Sequence, residues 1–507
     1  MDIIDKDFTT FKYRKMCLHP VYHLRQDDSR VILTAINEEK YNMNQWLSFI
    51  LPLHAKILSF IKGEQILNDE INKCADFLDV SPKIIINFLL PLINNTSWKR
   101  SHLKNGQCVH FPPFLIVECT EEIKRTIFYK ADDFSYNGIP DLVTDRLSYP
   151  ISIMLELTMK CYVNCAYCYA DRSNPFPEKS LKSNEIIKLI QEFHREGGLH
   201  IDINGGEVLM LEGIKDILIE LDHLHYSPLI STKMPLDEKM IIFLKSLQNV
   251  RLQVSLDSID SDILAKLIRA PEDYIKRMSE TFTLLDKHNL KVQVNCVLTK
   301  INSRKDSIIK LNEFLNQFQC VTLVRFNFCG YSLYKEDIIK LLLSYKEITK
   351  VEETIRNISN SHFPIILGGY DKLSDYTDNR NLDNFNRRAL CTGNIRNIVI
   401  LPNGNVTICE ELYNHPKFIL GNIRESSLKD IWKSKRALDL FEKSYILSSK
   451  TKCSSCETWD ECRKKTGVCW KMVLMAYGKD NWNFPDPRCP RAPVPYNEFY
   501  VDDKEKY

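Results

Sequence analysis

The sequence predicts an α/β fold centred on a partial barrel of six strand–helix units, with a smaller domain before it and another after it. Strand and helix patterns alternate from residue 148 to 375, which is typical of a parallel sheet. Three closely spaced cysteines follow the first of these strands, and seven more cysteines lie between residues 391 and 489. A chain of 507 residues is too long for one ordinary core, so several domains are expected.

The composition is that of a globular protein, with 44% hydrophobic and 26% charged residues. A net charge of +2 gives no electrostatic footprint for nucleic acid. The acidic start of the chain lacks the apolar stretch of a signal peptide, and no run of 18 apolar residues predicts a membrane span. The 17 cysteines, ten of them in spaced clusters, therefore indicate a reducing cytoplasm and metal binding rather than disulfides.

Residues 1–125 are predicted to form a small winged-helix-like domain. Two strands are expected within residues 19–33, helices at 46–61 (with Pro52 as a candidate kink), 66–78 and 81–92, and extended chain at 108–117. Ser81-Pro82 is a cap followed by proline in the first helical position, which favours a helix start. Residues 126–147, which include Asn137-Gly138-Ile139-Pro140, are predicted to be a linker.

The order of elements in residues 1–125 resembles the RiPP recognition element, the leader-binding domain of enzymes that modify ribosomally made peptides. That resemblance implies that a peptide adds as a strand beside the domain's own sheet. A DNA-binding winged helix is the competing interpretation, but Lys83 is the only basic residue of the third helix. A purely structural extension also stays open.

The three cysteines Cys161, Cys165 and Cys168 have the spacing C-x3-C-x2-C, directly after the apolar run 151–157. Such a run predicts a buried strand, and the cysteines would then lie on the loop at its C-terminal end. Three thiolates can hold three irons of a [4Fe–4S] cluster and leave the fourth iron open. A zinc loop or three unrelated buried thiols are the alternatives.

With Tyr167 before its last cysteine, this loop resembles the signature of the radical S-adenosylmethionine (AdoMet) enzymes. The resemblance implies that the amino and carboxylate groups of AdoMet chelate the open iron. One electron from the reduced cluster then breaks the sulfonium, and the resulting 5′-deoxyadenosyl radical removes a hydrogen from the substrate. The cofactors perform this chemistry, while the protein binds and orients them.

The barrel between residues 148 and 375 carries polar groups where its strands end. Strands are expected at residues 151–157, 200–203, 228–232, 250–256, 291–299 and 321–328, and helices at 184–196, 214–224, 236–247, 274–288 and 306–318. In a barrel of this kind the chemistry lies at the C-terminal ends of the strands. Gly205-Gly206-Glu207 follows the second strand, where glycines allow close backbone approach and a carboxylate can accept from an ammonium group.

The family resemblance assigns further AdoMet contacts. Gly205, Gly206 and Glu207 match its motif for the methionine amino group, Ser255 and Asp257 its ribose contacts, Arg269 its carboxylate partner, and Leu298 its adenine contact. Thr232 lies in Ser-Thr-Lys where many members have Thr-Asn-Gly, so its role stays open. A common turn for Gly-Gly-Glu and a surface ion pair for Arg269 are the structural alternatives. Three further cysteines of the barrel are expected in the core: Cys296, Cys320 and Cys329.

Residues 385–495 form the cysteine-rich domain, followed by a tail at 496–507. Cys391 and Cys409 flank a predicted hairpin with its turn at Asn403-Gly404. The remaining five are Cys453, Cys456, Cys462, Cys469 and Cys489. Thiolates at these spacings suit zinc or iron–sulfur clusters, but a zinc ribbon would use only four of the seven.

The seven cysteines together resemble the SPASM extension of radical AdoMet enzymes, which carries two auxiliary [4Fe–4S] clusters. The resemblance assigns Cys391, Cys409 and Cys469 to the first auxiliary cluster and Cys453, Cys456, Cys462 and Cys489 to the second. The gap from Cys462 to Cys469 is longer than usual, and a further cysteine before Cys391 is missing. The first auxiliary cluster is therefore expected to have an open iron, which we hypothesise binds a substrate thiolate.

These resemblances predict a peptide-modifying enzyme with AdoMet and three [4Fe–4S] clusters. A precursor peptide would dock by its leader, a flavodoxin or ferredoxin would supply electrons, and the product would be a thioether formed from a cysteine. Carbon–carbon cross-linking, formylglycine formation as in sulfatase maturation, and a non-catalytic zinc-ribbon scaffold are the alternatives. The sequence does not identify a catalytic side chain.

Overall fold

The computed structural model describes residues 8–35, 46–123, 127–171, 180–387, 391–442, 451–459, 462 and 468–503. The chain divides into two compact units, unit 1 (Met1–Ser148) and unit 2 (Tyr149–Tyr507). Within the described ranges, no helix is both long and apolar enough to span a membrane.

The described residues of unit 1 form small antiparallel sheets and helices, including a helical turn at 8–11. Its strands are β1 (Met16–Leu18), β2 (Tyr22–Asp27), β3 (Arg30–Ala35), β4 (Leu47–Ile50), β5 (Lys99–His102), β6 (Cys108–Phe111) and β7 (Ile116–Glu118), and its helices are α1 (Pro52–Phe60), α2 (Leu67–Leu78) and α3 (Pro82–Leu89). The sheets have the orders β2-β3-β4, β1-β7 and β5-β6. The predicted cap is confirmed, because the Ser81 hydroxyl accepts a hydrogen bond from the backbone N–H of Lys83.

The predicted helix over residues 46–61 is wrong in its first third. Residues Leu47–Ile50 form β4, which pairs with β3, and the helix begins only at Pro52. Proline disfavours the helical conformation of the residue before it and is well tolerated in the first helical position. Pro52 therefore starts α1 instead of kinking a longer helix.

The end of the predicted linker is tied to unit 1. The Arg30 guanidinium donates to the backbone carbonyls of Asp141, Thr144 and Arg146, at 2.8, 2.6 and 3.1 Å. Arg30 itself pairs with Asp27 at 2.9 Å, and both side chains are at most 4% exposed. Residues 141–146 were predicted to be part of a linker because their sequence is polar. In the structure this irregular segment is held by the buried Arg30–Asp27 ion pair.

Unit 2 contains the six predicted barrel strands, which confirms the expected α/β fold. They are β8 (Ser152–Glu156), β9 (His200–Asn204), β10 (Leu229–Thr232), β11 (Arg251–Ser255), β12 (Val292–Leu298) and β13 (Val321–Phe328). Parallel ladders join β8 to β9 and β10 through β13, and β14 (Ile365–Leu367) adds to β13. β9 lies beside β10 without a hydrogen-bonded ladder.

Helices follow these strands in the expected alternation. They are α4 (Ser183–Arg195), α5 (Ile214–His223), α6 (Glu238–Ser246), α7 (Ser261–Ile268), α8 (Tyr274–Lys287), α9 (Lys305–Leu315) and α10 (Tyr345–Arg356). The sequence analysis did not predict α7, which Asp260 caps by accepting from the N–H groups of Asp262 and Ile263. This helix proves important for the cysteine loop.

The cysteine-rich segment begins by extending the barrel sheet. The predicted hairpin is confirmed as β15 (Asn397–Ile400) and β16 (Asn405–Thr407), with Gly404 at φ +85° in the turn. β15 pairs in parallel with β8, and β17 (Ile419–Asn422) pairs with β16. Four short helices and α15 (Trp470–Tyr477) complete the unit: α11 (Leu373–Tyr376), α12 (Leu382–Arg387), α13 (Leu428–Lys433) and α14 (Lys435–Phe441).

Candidate active site

A cavity of about 420 Å³ opens where the parallel strands of unit 2 end. The residues that line it come from the C-terminal parts of the six barrel strands or the loops after them, and from the cysteine-rich segment. Its lining includes Cys161, Cys165, Cys168, Tyr167, Gly205, Gly206, Glu207, Thr232, Lys233, Ser255, Val297, Cys329, Glu411 and Lys471. One space therefore joins the first cysteine motif to groups that lie far apart in sequence.

The loop that carries Cys161, Cys165 and Cys168 is held by backbone hydrogen bonds. The N–H groups of Asn164 and Ala166 donate to the carbonyls of Ile268 and Leu267, at 2.9 and 2.8 Å. These carbonyls belong to the last turn of α7, whose acceptors would otherwise lack intrahelical partners. The helix that the sequence analysis missed thus positions the cysteine loop.

The glycine turn after β9 packs directly on the same loop. Gly206 N–H donates to the Thr158 carbonyl at 2.5 Å, and Glu207 N–H donates to the Lys160 carbonyl at 2.7 Å. Gly205 has φ +126°, a conformation that L side chains rarely adopt. A Cβ on Gly206 would overlap the Lys160 carbonyl oxygen, so this close approach requires glycine.

Glu207 presents an unsatisfied acceptor in the cavity wall. Its side chain is 3% exposed, and Oε2 accepts from the Lys233 N–H at 3.0 Å. Oε1 is buried and has no hydrogen-bond partner among the described residues. Burial raises the pKa of this carboxyl. A buried acceptor without a donor is costly, so this atom fits a ligand that brings an ammonium group.

A hydrogen-bonded group of three side chains lies beside Glu207. Asp257 Oδ2 accepts from the Tyr167 hydroxyl at 2.6 Å and from Lys233 Nζ at 2.8 Å. Its Oδ1 accepts from the Val297 N–H at 2.9 Å. Burial and the Asp257 charge raise the pKa of Tyr167 well above its usual value. Asp257 thereby links the cysteine loop to strands β10 and β12.

Six of the nine predicted AdoMet contacts line the cavity: Tyr167, Gly205, Gly206, Glu207, Thr232 and Ser255. Three do not, and each has a physical reason. Protein donors occupy both oxygens of Asp257. Leu298 is 1% exposed and its neighbour Val297 faces the cavity instead, because successive strand residues point to opposite faces. Arg269 is an exposed residue at φ +52° that ends α7.

Four cavity residues were missed or misassigned from sequence. Cys329 was expected in the core but lines the cavity, and burial raises its pKa to about 12. Lys233, Glu411 and Lys471 were given no role, although Ser-Thr-Lys at a strand end was a visible departure from the family motif. The other two barrel cysteines, Cys296 and Cys320, are core residues at 0 and 1% exposure, as predicted.

The four cysteines predicted to form one group in the C-terminal segment line a second, smaller cavity of about 70 Å³. These are Cys453, Cys456, Cys462 and Cys489. Arg491 Nη1 donates to Cys456 Sγ at 2.7 Å, and this contact together with Thr458 lowers the pKa of Cys456 despite its partial burial. The guanidinium therefore favours a thiolate there, the form that binds metal.

The other three C-terminal cysteines also lie near one another. Burial raises the pKa of Cys409 and of Cys469, and the neighbouring Cys391 thiol adds to both shifts. The Lys471 ammonium and Glu411 carboxylate, 2.5 Å apart, lie two residues after Cys469 and Cys409 respectively. Glu411 and Lys471 also line the main cavity, together with Cys161, Cys165 and Cys168. This ion pair therefore connects that cavity with the group of Cys391, Cys409 and Cys469.

None of the 17 cysteines forms a disulfide bond. Within the described ranges, no three His, Cys, Asp or Glu side chains converge as ligands of a single metal ion. In a [4Fe–4S] cubane, by contrast, each thiolate binds a separate iron.

Comparison with known families identifies both halves of unit 2. The Radical SAM superfamily model matches residues 155–311, and the SPASM model, described as an iron–sulfur cluster-binding domain, matches residues 391–458. The chain contains a radical SAM domain followed by a SPASM domain. The first match covers the cysteine loop, Gly205-Gly206-Glu207 and the ends of β8 to β12, and the second begins at Cys391.

Individual proteins are also similar to this chain. The chain is 26% identical over 298 residues to the sporulation killing factor maturation protein SkfB of Bacillus subtilis. The alignment covers 57% of this chain and 67% of that protein. The fold of this chain matches Streptococcus suis SuiB bound to S-adenosylmethionine, with a TM-score of 0.62, 15% identity, and 95% and 100% of the two chains covered. SuiB bound to precursor peptide SuiA matches with a TM-score of 0.60, 16% identity, and 95% and 100% of the two chains covered.

Proposed function

We propose that this radical SAM protein is a peptide maturase that uses AdoMet to remove a hydrogen atom from a ribosomally made precursor peptide. The observation that carries this proposal is the shared cavity. It brings together the three cysteines of the radical SAM loop, the unpaired Glu207 oxygen, and the Glu411–Lys471 pair beside the cysteines of the SPASM domain.

In this proposal Cys161, Cys165 and Cys168 hold a [4Fe–4S] cluster. Glu207 accepts from the amino group of AdoMet, while Tyr167, Thr232 and Ser255 line the space for the rest of the molecule. When bound, the cluster and AdoMet supply the radical that attacks the substrate. The protein's own part is to fix the cysteine loop through α7 and Gly206.

The SPASM cysteines are proposed to hold two auxiliary [4Fe–4S] clusters. Cys453, Cys456, Cys462 and Cys489 are a full set of four ligands for one of them. Cys391, Cys409 and Cys469 are three ligands for the other, which leaves one iron for a substrate thiolate. A thiolate held there could pass an electron into the cluster as its sulfur bonds to the substrate carbon.

The precursor peptide is proposed to bind unit 1 through its leader. In the described part of the chain, β2 and β4 are the outer strands of the sheet β2-β3-β4, and β4 is partly exposed, so the peptide is proposed to add as a strand beside β4. SuiB, whose fold this chain shares, has been crystallised with a precursor peptide. The electron donor would be a small reductant of the flavodoxin or ferredoxin class.

A thioether from a peptide cysteine is the product we favour, because it gives the open iron of the first auxiliary cluster a role. Carbon–carbon cross-linking and formylglycine formation are the alternatives. The matched family is described as cluster-binding, which disfavours a zinc-ribbon scaffold.

The test is to co-express the protein anaerobically with a cysteine-containing candidate precursor and to analyse the peptide by mass spectrometry before and after thiol alkylation. A thioether is expected to remove two hydrogens and to make one cysteine resistant to alkylation. Loss of two hydrogens with every thiol still alkylated would instead indicate a carbon–carbon bond. Loss of sulfur would indicate formylglycine, and an unmodified peptide with no AdoMet cleavage would contradict the proposal.

A further inference from the structure

The segment between Asp79 and Glu118 contains no acidic residue, although the chain has 66 Asp and Glu residues in all. Most of its basic residues lie in the hairpin that β5 and β6 form with their turn (residues 99–111), which we call the basic hairpin. The basic residues of this hairpin are Lys99, Arg100, His102, Lys104 and His110. Positive charge is thus concentrated in one small element of unit 1.

One face of the basic hairpin carries Arg100, His102 and His110. Arg100 lies directly opposite His110 in the ladder, and His102 is two residues from Arg100, so the three side chains are on the same side of the two strands. Burial lowers the pKa of His110, and the nearby Arg100 and His102 lower it further. Arg100, His102 and the turn residue Lys104 are exposed. The hairpin therefore presents clustered positive charge to the solvent.

The cations of the basic hairpin have no acidic partner. Within the described ranges, the side chains of Lys99, Arg100 and Lys104 form no hydrogen bond and no ion pair. Arg14, another exposed cation of unit 1, pairs instead with Glu118 at 2.8 Å. Like charges that lie close together repel one another, and an anionic ligand relieves this repulsion.

The basic hairpin contacts β4, the strand beside which the leader is proposed to add. The Ser48 hydroxyl of β4 donates to the His110 carbonyl at 2.9 Å. Trp98, the residue before β5, packs edge-on against Trp46, the residue before β4, with ring centres 5.0 Å apart. Trp98 is nevertheless 46% exposed. Exposed tryptophan and arginine are the residue types that contribute most to binding at protein interfaces.

We propose that the basic hairpin binds an acidic segment of the precursor's leader, next to the part that adds beside β4; this rests on the proposed function. The carboxylates of that segment pair with Arg100 and Lys104, while an apolar side chain of the leader lies on Trp98. Nucleic acid is the competing partner for a basic hairpin in a winged-helix-like unit. The helix that would enter a DNA groove is α3, and Lys83 is its one basic residue, which favours the peptide.

The experiment measures binding to the full-length protein by fluorescence anisotropy with three labelled probes: hexaglutamate, hexaglutamine and a short DNA duplex. The variant Arg100→Gln/Lys104→Gln removes two exposed cations of the hairpin. The matched control Lys15→Gln/Lys73→Gln removes two exposed cations elsewhere in unit 1. Wild type should prefer hexaglutamate to hexaglutamine, and added salt should weaken this preference. The hairpin variant should bind hexaglutamate about 3- to 30-fold more weakly, the range for two exposed charge pairs, while the control keeps its affinity.

Equal affinity of wild type and the hairpin variant for hexaglutamate would overturn the inference, and so would an equal loss in the control variant. A wild type that does not distinguish hexaglutamate from hexaglutamine would also overturn it. Tighter binding of the DNA duplex, lost in the hairpin variant, would assign the hairpin to nucleic acid instead. Cleavage of AdoMet without peptide is measured on the same preparations. Its absence in wild type would contradict the proposed function, whatever the hairpin binds.

Discussion

Gly206→Ala is expected to abolish reductive cleavage of AdoMet. The new Cβ would overlap the carbonyl oxygen of Lys160, a backbone atom that cannot rotate away. Relief requires the turn or the loop before Cys161 to move, and a displacement of about 1 Å in a catalytic site can cost about 100-fold in rate. Formation of 5′-deoxyadenosine by the reconstituted variant should therefore fall by about 100-fold or more.

Gly330→Ala is the matched control for this substitution. Gly330 lines the same cavity, but a Cβ there would meet no atom within 4 Å. We expect near wild-type cleavage from this variant. Equal activity of the two variants would mean that the contact of the glycine turn with the cysteine loop does not matter for the reaction.

Asp486→Ala is expected to remove the first auxiliary cluster while sparing the cluster of the radical SAM loop. Asp486 is 1% exposed, and its carboxylate accepts from Arg488 Nε and Nη2, both at 2.9 Å, and from the Cys469 N–H at 3.2 Å. Its backbone carbonyl accepts from the Cys489 N–H at 2.9 Å. Alanine keeps the backbone carbonyl that contacts Cys489. The substitution therefore removes the acceptor of the Cys469 N–H, in the first auxiliary site, and leaves Arg488 without its anion.

Iron analysis and product analysis together measure this effect. The variant should retain about eight irons out of about twelve and still cleave AdoMet, but it should not form the peptide product. Asp480→Ala, at an exposed position nearby in sequence, should behave as wild type. Full iron content and normal product from Asp486→Ala would show that this buried ion pair does not hold the first auxiliary site.

The barrel could be predicted because short strand patterns alternate with longer helix patterns, which is typical of strand–helix units and a parallel sheet. Several of the strands also end in residues with distinct chemistry. Gly205-Gly206-Glu207 and the loop of Cys161 were recognisable because each motif is local. The predicted helix at residues 46–61 began too early, because its first residues form a short strand before Pro52. The spacing of apolar residues alone does not distinguish a short strand from the start of a helix.

Contacts distant in sequence could not be predicted in the same way. The pairing of β15 with β8 joins residues about 245 positions apart and places the SPASM hairpin on the barrel sheet. Leu298 was predicted to face the ligand, but its neighbour Val297 lines the cavity and Leu298 is buried. A shift of one residue along a strand reverses which side chains face the cavity, and two adjacent apolar residues do not show which of them does so. Lys233 was overlooked because a lysine at a strand end is usually solvated, and only the structure places it beside Glu207 and Asp257.

The most direct test of the account is the iron and sulfide content, with electron paramagnetic resonance, of the anaerobically reconstituted protein. Wild type and a variant with Cys161, Cys165 and Cys168 all changed to Ala are compared. The account predicts about twelve irons in wild type and about eight in the variant, with the signal of one reduced cubane lost. About four irons in wild type and none in the variant would contradict it, because the SPASM cysteines would then hold no clusters.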